Sequence, residues 1–225
     1  MAMYAQDVAD GLEMLGVERF SLVGHSLGGA VATELVELIP AKVAALVLLA
    51  PVGFGPIYLA ELASLPVVRQ LVHMALPWAL SSRVAVTAAY ATMVTDGKRP
   101  EPELVDRVTK NGRSLVDGTW KALRAIVDAS RCDRASGLRR VAYGGPVNAV
   151  WGDRDRLVSP SHRDGLRAAL PQARIQLWEG MGHHPIAERF DELAGLLTSA
   201  TSPLAAQTAT YRPSTSRDLP LADAA

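Results

Sequence analysis

The chain has 225 residues, of which 49% are hydrophobic and 20% charged, and its 23 Lys and Arg balance 23 Asp and Glu. That length suits one domain with an insertion, and the apolar content excludes a disordered chain. A formal net charge of zero leaves no electrostatic footprint for nucleic acid or for an anionic membrane.

At the N-terminus Tyr4, Val8, Leu12 and Leu15 recur at helical spacing, and Gly16 ends that helix. Asp7, Asp10 and Glu13 stand where a signal peptide needs basic residues and an apolar run. Residues 20–24 read as a short buried strand and residues 30–39 as a helix stopped by Pro40. The unbroken apolar run 43–50 has strand length and is expected to be covered on both faces. The charge-free stretch 43–60 is long enough to suggest a membrane span. Pro51, Gly53, Gly55 and Pro56 break its second half, so it reads as a buried strand entering a loop.

Four helical stretches follow, at 64–76, 78–94, 102–113 and 119–129. Pro77 is expected to separate the first two, and residues 95–100 to form a polar turn. Cys132 is the only cysteine, so no intrachain disulfide or cysteine-based metal site can form, and a reduced cytoplasm is the default location. Arg131, Arg134, Arg139 and Arg140 form the one dense basic cluster; Asp133 interrupts it, and it reads as a solvated connector. Two strands, 147–151 and Arg174–Trp178, flank a helix at 161–170, and a final helix covers 189–197. From Thr198 onward the composition turns to Ser, Thr, Pro and Ala, as in a disordered tail.

This alternation predicts an α/β fold: a parallel sheet of about four strands with flanking helices and an inserted helical lid. The expected organisation is a core at 1–55, a helical lid at 56–138, a second core segment at 139–198 and a tail at 199–225.

The chemistry concentrates at Gly24-His25-Ser26-Leu27-Gly28-Gly29, between a predicted strand and a predicted helix. A serine hydroxyl is a poor nucleophile until it is exposed, aligned and deprotonated by a neighbouring base. A sharp strand-to-helix turn lifts Oγ above the sheet and aims a helix N-terminus at the reacting centre. The glycines two residues either side of Ser26, Gly24 and Gly28, are expected to relieve crowding there. No Lys follows these glycines, which disfavours a phosphate-binding loop. Trp151-Gly-Asp-Arg-Asp155 follows the third strand and Gly182-His183-His184-Pro185 the fourth, so a carboxylate and an imidazole can reach the same sheet edge. In this scheme His183 accepts the Ser26 proton, and Asp155 fixes the imidazole tautomer and stabilises its cation.

Leu-Val-Gly-His-Ser-Leu-Gly-Gly at 22–29, Leu-Leu-Ala-Pro at 48–51, Val-Trp-Gly-Asp-Arg-Asp at 150–155 and Gly-Met-Gly-His-His-Pro at 180–185 together resemble the α/β-hydrolase superfamily. The resemblance runs over about residues 4–197 and implies a serine hydrolase using Ser26, Asp155 and His183. It selects Asp155 over Asp153 as the acid, and His183 over His184 as the base. It also implies strands and a His-Gly loop ahead of the elbow strand, which this sequence does not contain. That loop gives one of two backbone donors to the oxyanion hole, and the Leu27 N–H gives the other. An N-terminally truncated member is therefore expected, with residues 20–24 as an exposed sheet edge that favours self-association.

The expected reaction is cleavage of a carboxylic ester, or a related acyl bond, in a small to medium apolar substrate, with no cofactor and no metal. The apolar lid residues Leu65, Val68, Leu71, Met74, Leu76 and Trp78 suggest that substrate class. The alternative is a weakly active or non-catalytic binding protein. Ser26 disfavours relatives that use Asp as nucleophile, and His25 counts against carbon–carbon bond hydrolases, which often carry Asn there. Cofactor-free haloperoxidases share the triad. Elsewhere, His25 and His184 read as packing or orienting residues, His162 as an exposed helix start and His73 as partly buried. Met74, Trp78 and Met93 read as core-like.

Overall fold

The computed structural model describes residues 1–95, 97–131 and 140–200. Its centre is a four-stranded parallel sheet in the order β1-β2-β3-β4. The strands are β1 (Phe20–His25), β2 (Val43–Leu49), β3 (Val147–Gly152) and β4 (Arg174–Trp178). Spatial order repeats sequence order, so every strand pairs with its successor after a helical crossover. The register Gly24↔Leu48, Leu48↔Ala149 and Ala149↔Ile175 brings the C-terminal strand ends to one edge.

In β2 every residue but Ala44 is buried. The two-residue period of a strand sends Leu46 and Leu48 to one face and Val47 and Leu49 to the other. On the first face they join Ala32 and Val36 of α2 (Leu27–Leu38) with Trp151 and Leu166. On the second they join Val150, Met181, Leu193 and Ala200. Truncating one such leucine to alanine costs about 2–5 kcal/mol. Two or three of these positions therefore match a domain's entire net stability. Ahead of the sheet, α1 (Ala2–Met14) sets Ala5 and Ala9 against Leu35, and Gly16 turns the chain at φ 67°.

Among the described residues, five helices separate β2 from β3: α3 (Tyr58–Ser64), α4 (Pro66–Ser81), α5 (Arg83–Met93), α6 (Pro102–Lys110) and α7 (Val116–Ser130). Their boundaries differ from expectation. Pro77 lies inside α4 instead of ending it, and α3 has no counterpart among the predicted elements. The break falls at Ser82, whose Oγ accepts from the Ala85 N–H at 3.3 Å and caps α5. A proline removes one intrahelical bond, whereas a capped N-terminus positively favours a new start.

Helix α4 buries none of its residues. Val67, Leu71, Met74 and Trp78 recur along one helical face and stand 61–73% exposed, which corrects the core-like reading of Met74 and Trp78. His73 is exposed rather than partly buried, with its ring edge-on to Trp120 at 5.8 Å.

After β3 come α8 (His162–Ala169), then β4, α9 (Pro185–Glu188) and α10 (Phe190–Ala200). The helix expected at 189–197 is α10, which runs on to Ala200 and takes in residues 199 and 200 of the expected tail. The short α9 ahead of it has no counterpart among the predicted elements. The rest of the expected tail (201–225), Cys132, Arg134 and Arg139 lie outside the described residues. Among the described residues, β1 and β4 are the outer strands, and no helix is long and apolar enough to cross a membrane.

Candidate active site

β1 ends at His25 and α2 begins at Leu27, so Ser26 alone makes the turn between them. It does so at φ 53°, ψ −121°, outside the regions an L-residue favours. Such a conformation costs about 1–3 kcal/mol and persists only where surroundings enforce it. Here the Ser26 N–H donates to the Leu49 carbonyl at 2.9 Å, and the Ser26 carbonyl accepts from the N–H groups of Gly29 at 2.9 Å and Val52 at 3.0 Å. A Cβ at Gly24 would lie 2.7 Å from the Gly28 oxygen and 2.8 Å from Ala32 Cβ, and one at Gly29 only 2.5 Å from Pro51 Cβ. A Cβ at Gly28 would meet nothing within 4 Å. The crowded pair is therefore Gly24 and Gly29, not Gly24 and Gly28 as expected. Leu27 opens α2, so its N–H has no acceptor within the helix.

Asp155 follows β3 and His183 follows β4, and both side chains are buried. Asp155 Oδ1 accepts from the N–H groups of Leu157 and Val158, each at 2.9 Å. Its Oδ2 accepts from His183 Nδ1–H at 2.7 Å. That leaves Nε2 with a free lone pair, which faces Ser26 Oγ at 2.9 Å and accepts its proton in a hydrogen bond. Three residues from three separate strand ends thus form one hydrogen-bonded row. Asp153 is elsewhere: exposed, with Oδ1 accepting from the Gly180 N–H at 2.7 Å. At Gly152 a Cβ would overlap the carbonyl oxygens of Met181 and Gly182, so the His183 loop rests directly on the end of β3.

Two further imidazoles flank the row. The His25 ring lies 4.9 Å from that of His183 and 5.2 Å from that of His184. Its Nε2–H donates to the His183 main-chain carbonyl at 2.8 Å. Burial pushes the His25 pKa down, against the carbonyl bond, and the neighbouring imidazoles add to the lowering. His184 is lowered in the same way, by burial first and His183 second. Both shifts favour the neutral form of these rings.

His162 corrects another expectation. It is 3% exposed rather than on an open helix start, because the loop after β2 docks on it: Nε2–H donates to the Pro56 carbonyl at 3.0 Å. Its pKa is lowered by burial. Sequence reasoning also passed over Glu188. This nearly buried carboxylate accepts from the N–H groups of Thr95, Gly182 and His184. Burial would raise its pKa, but the Thr95 hydroxyl and these N–H donors together hold it below the usual carboxylate value. Its only sequence signal is a lone acid a few residues after the Gly-His-His-Pro run.

A model of the alpha/beta hydrolase fold family matches residues 1–190. Uncharacterized protein Rv2715 of Mycobacterium tuberculosis is 28% identical over 219 residues, covering 90% of this chain and 62% of that protein. The chain thus spans under two thirds of that relative's length. Esterase YbfF of Escherichia coli is 28% identical over 190 residues, covering 83% of this chain and 69% of the esterase. Among solved structures, a membrane phospholipase A described as a bacterial virulence factor superposes with a TM-score of 0.68 at 20% identity, covering 87% of this chain and 60% of that one. That likeness concerns the fold.

Proposed function

The chain belongs to the α/β-hydrolase fold family, and we propose that it is a serine hydrolase cleaving a carboxylic ester or related acyl bond through an acyl-Ser26 intermediate. The observation that carries this reading is the hydrogen-bonded row from Asp155 through His183 to Ser26, at 2.7 and 2.9 Å. Similarity to an esterase agrees with it.

In this mechanism Ser26 Oγ attacks the acyl carbon while His183 Nε2 takes its proton. The resulting imidazolium keeps its Nδ1–H on Asp155, whose charge stabilises it. The Leu27 N–H, at the positive end of α2, donates to the developing oxyanion; one such donor is worth about 10²–10³ in rate. Collapse expels the alcohol, to which His183 returns the proton. Water, activated by the same imidazole, then attacks the acyl-enzyme and releases the acid. Helices α3–α7 act as the lid over this edge. The apolar composition of the lid, with Leu65, Val68, Leu71, Met74, Leu76 and Trp78, supports a small to medium apolar acyl substrate.

Ser26→Ala tests the assignment directly. Turnover of p-nitrophenyl butyrate should disappear, and an unchanged rate would reject Ser26 as nucleophile.

A further inference from the structure

The base proposed for this chain stands on a loop, and a loop needs its own restraint if a side chain is to keep a fixed position. Two connections tie the His183 backbone to other elements: its carbonyl accepts from His25, and its N–H donates to the Met93 carbonyl at 2.7 Å, at the end of α5. The residues on either side are held by one carboxylate. Glu188 Oε2 accepts from the Gly182 N–H at 2.9 Å, and Oε1 from the His184 N–H at 3.1 Å. Oε2 also accepts from the Thr95 N–H at 2.8 Å. The Thr95 hydroxyl lies 2.6 Å from both Oε2 and the Gly180 carbonyl and shares its single proton between them. Lys98 Nζ adds a second tie, donating to the carbonyls of Ala187 at 2.8 Å and Glu188 at 2.9 Å. There is no slack in the packing: a Cβ at Gly182 would sit 2.7 Å from the Met93 oxygen and 3.1 Å from Glu188 Oε1.

We propose that Glu188 is a positioning residue for His183, clamping residues 182 and 184 to the chain that leaves α5. The inference rests on the serine-hydrolase reading for its kinetic consequence, though not for its geometry. One anion gathers donors from both neighbours of the imidazole and from the segment beside Met93. The imidazole is thereby coupled to the α3–α7 insertion: a shift of the chain after α5 moves the backbone that aims Nε2 at Ser26. A carboxylate is required because every group facing it is a donor. An amide would turn its own N–H₂ toward at least one of those N–H groups.

The test compares wild type, Glu188→Gln, Glu188→Asp and Ser26→Ala in the full chain, with p-nitrophenyl butyrate, well below each variant's Tm. Misplacing a reacting group by about 1 Å costs up to roughly 100-fold. Glu188→Gln should therefore lower kcat by about 10- to 100-fold while KM stays within about twofold, and Glu188→Asp should restore part of it. Independently of turnover, the downfield proton resonance of His183 Nδ1–H should weaken or shift in Glu188→Gln and recover in Glu188→Asp. Wild-type kcat together with an unchanged resonance in Glu188→Gln would overturn the clamp. If wild type shows no Ser26-dependent turnover, the hydrolase reading fails and the resonance alone decides the role of Glu188.

Discussion

The His25 imidazole donates through Nε2–H to the main-chain carbonyl of His183 across 2.8 Å, joining residues 158 positions apart in the sequence. The residue preceding the proposed nucleophile thus supports the backbone of the proposed base. His25→Phe keeps a flat ring against His183 but removes the donor. One neutral hydrogen bond contributes about 0.5–1.5 kcal/mol, so kcat should fall roughly 2- to 10-fold with little change in KM. Steady-state kinetics on a nitrophenyl ester measure this, and an undiminished kcat would show that the Met93 contact suffices.

The two candidate acids separate cleanly. Asp155 meets His183, whereas Asp153 only receives the Gly180 N–H. Asp155→Asn leaves the imidazole without an anionic partner and should lower kcat by about 10⁴-fold. Asp153→Asn retains an oxygen that can accept from Gly180, and kcat should stay near wild type. The opposite ranking would move the acid to Asp153.

The elbow glycines should not respond alike. Gly29→Ala forces a methyl against Pro51 Cβ, a rigid neighbour, and overpacking of this kind costs about 1–3 kcal/mol. Gly28→Ala points into open space on a helix and should gain up to about 1 kcal/mol. Thermal unfolding of the two variants checks the order, and equal Tm values would contradict the crowding described for this turn.

Three histidines, His162 buried and His25 and His184 half-buried, make the fold acid-sensitive. His25, His162 and His184 all have folded pKa values below the ordinary 6.5, each chiefly through burial. Below about pH 6.5 the unfolded chain takes up protons that the folded chain refuses, so stability falls as pH drops through that value. Glu188, lowered from 4.5, adds a second loss as pH falls through its folded value. Tm should therefore decline from pH 7 to pH 5.5. His162→Gln, whose amide can still donate to Pro56, should flatten that decline, and an unaltered slope would remove His162 from this account.

What could be read from residues alone was whatever local pattern encodes. The apolar run of β2 and the bounds of β4 follow from composition and turn residues, and the order Ser26, Asp155, His183 names three residues that the fold brings into hydrogen-bonding contact. Docking between distant segments left no such trace. His162 looks like an ordinary helix start until the loop at Gly55 and Pro56 closes over it. Gly28 and Gly29 are neighbours in a glycine pair, and only the approach of Pro51 distinguishes them. Pro77 misled because helix ends depend on competing caps as well as on breakers, and Ser82 supplied the cap. Glu188 carries no motif of its own; its importance lies in which donors converge on it.

The all-parallel order of the sheet also sets a schedule. Ser26 lies in the connection that follows β1 and His183 in the one that follows β4, so a nascent chain that stops short of β4 contains only one half of the relay. Pairings that span such long intervals form slowly and late. A nascent chain thus carries an inert alcohol until its fourth strand has docked, and any ester cleavage would appear abruptly with completion of the sheet rather than grow with chain length.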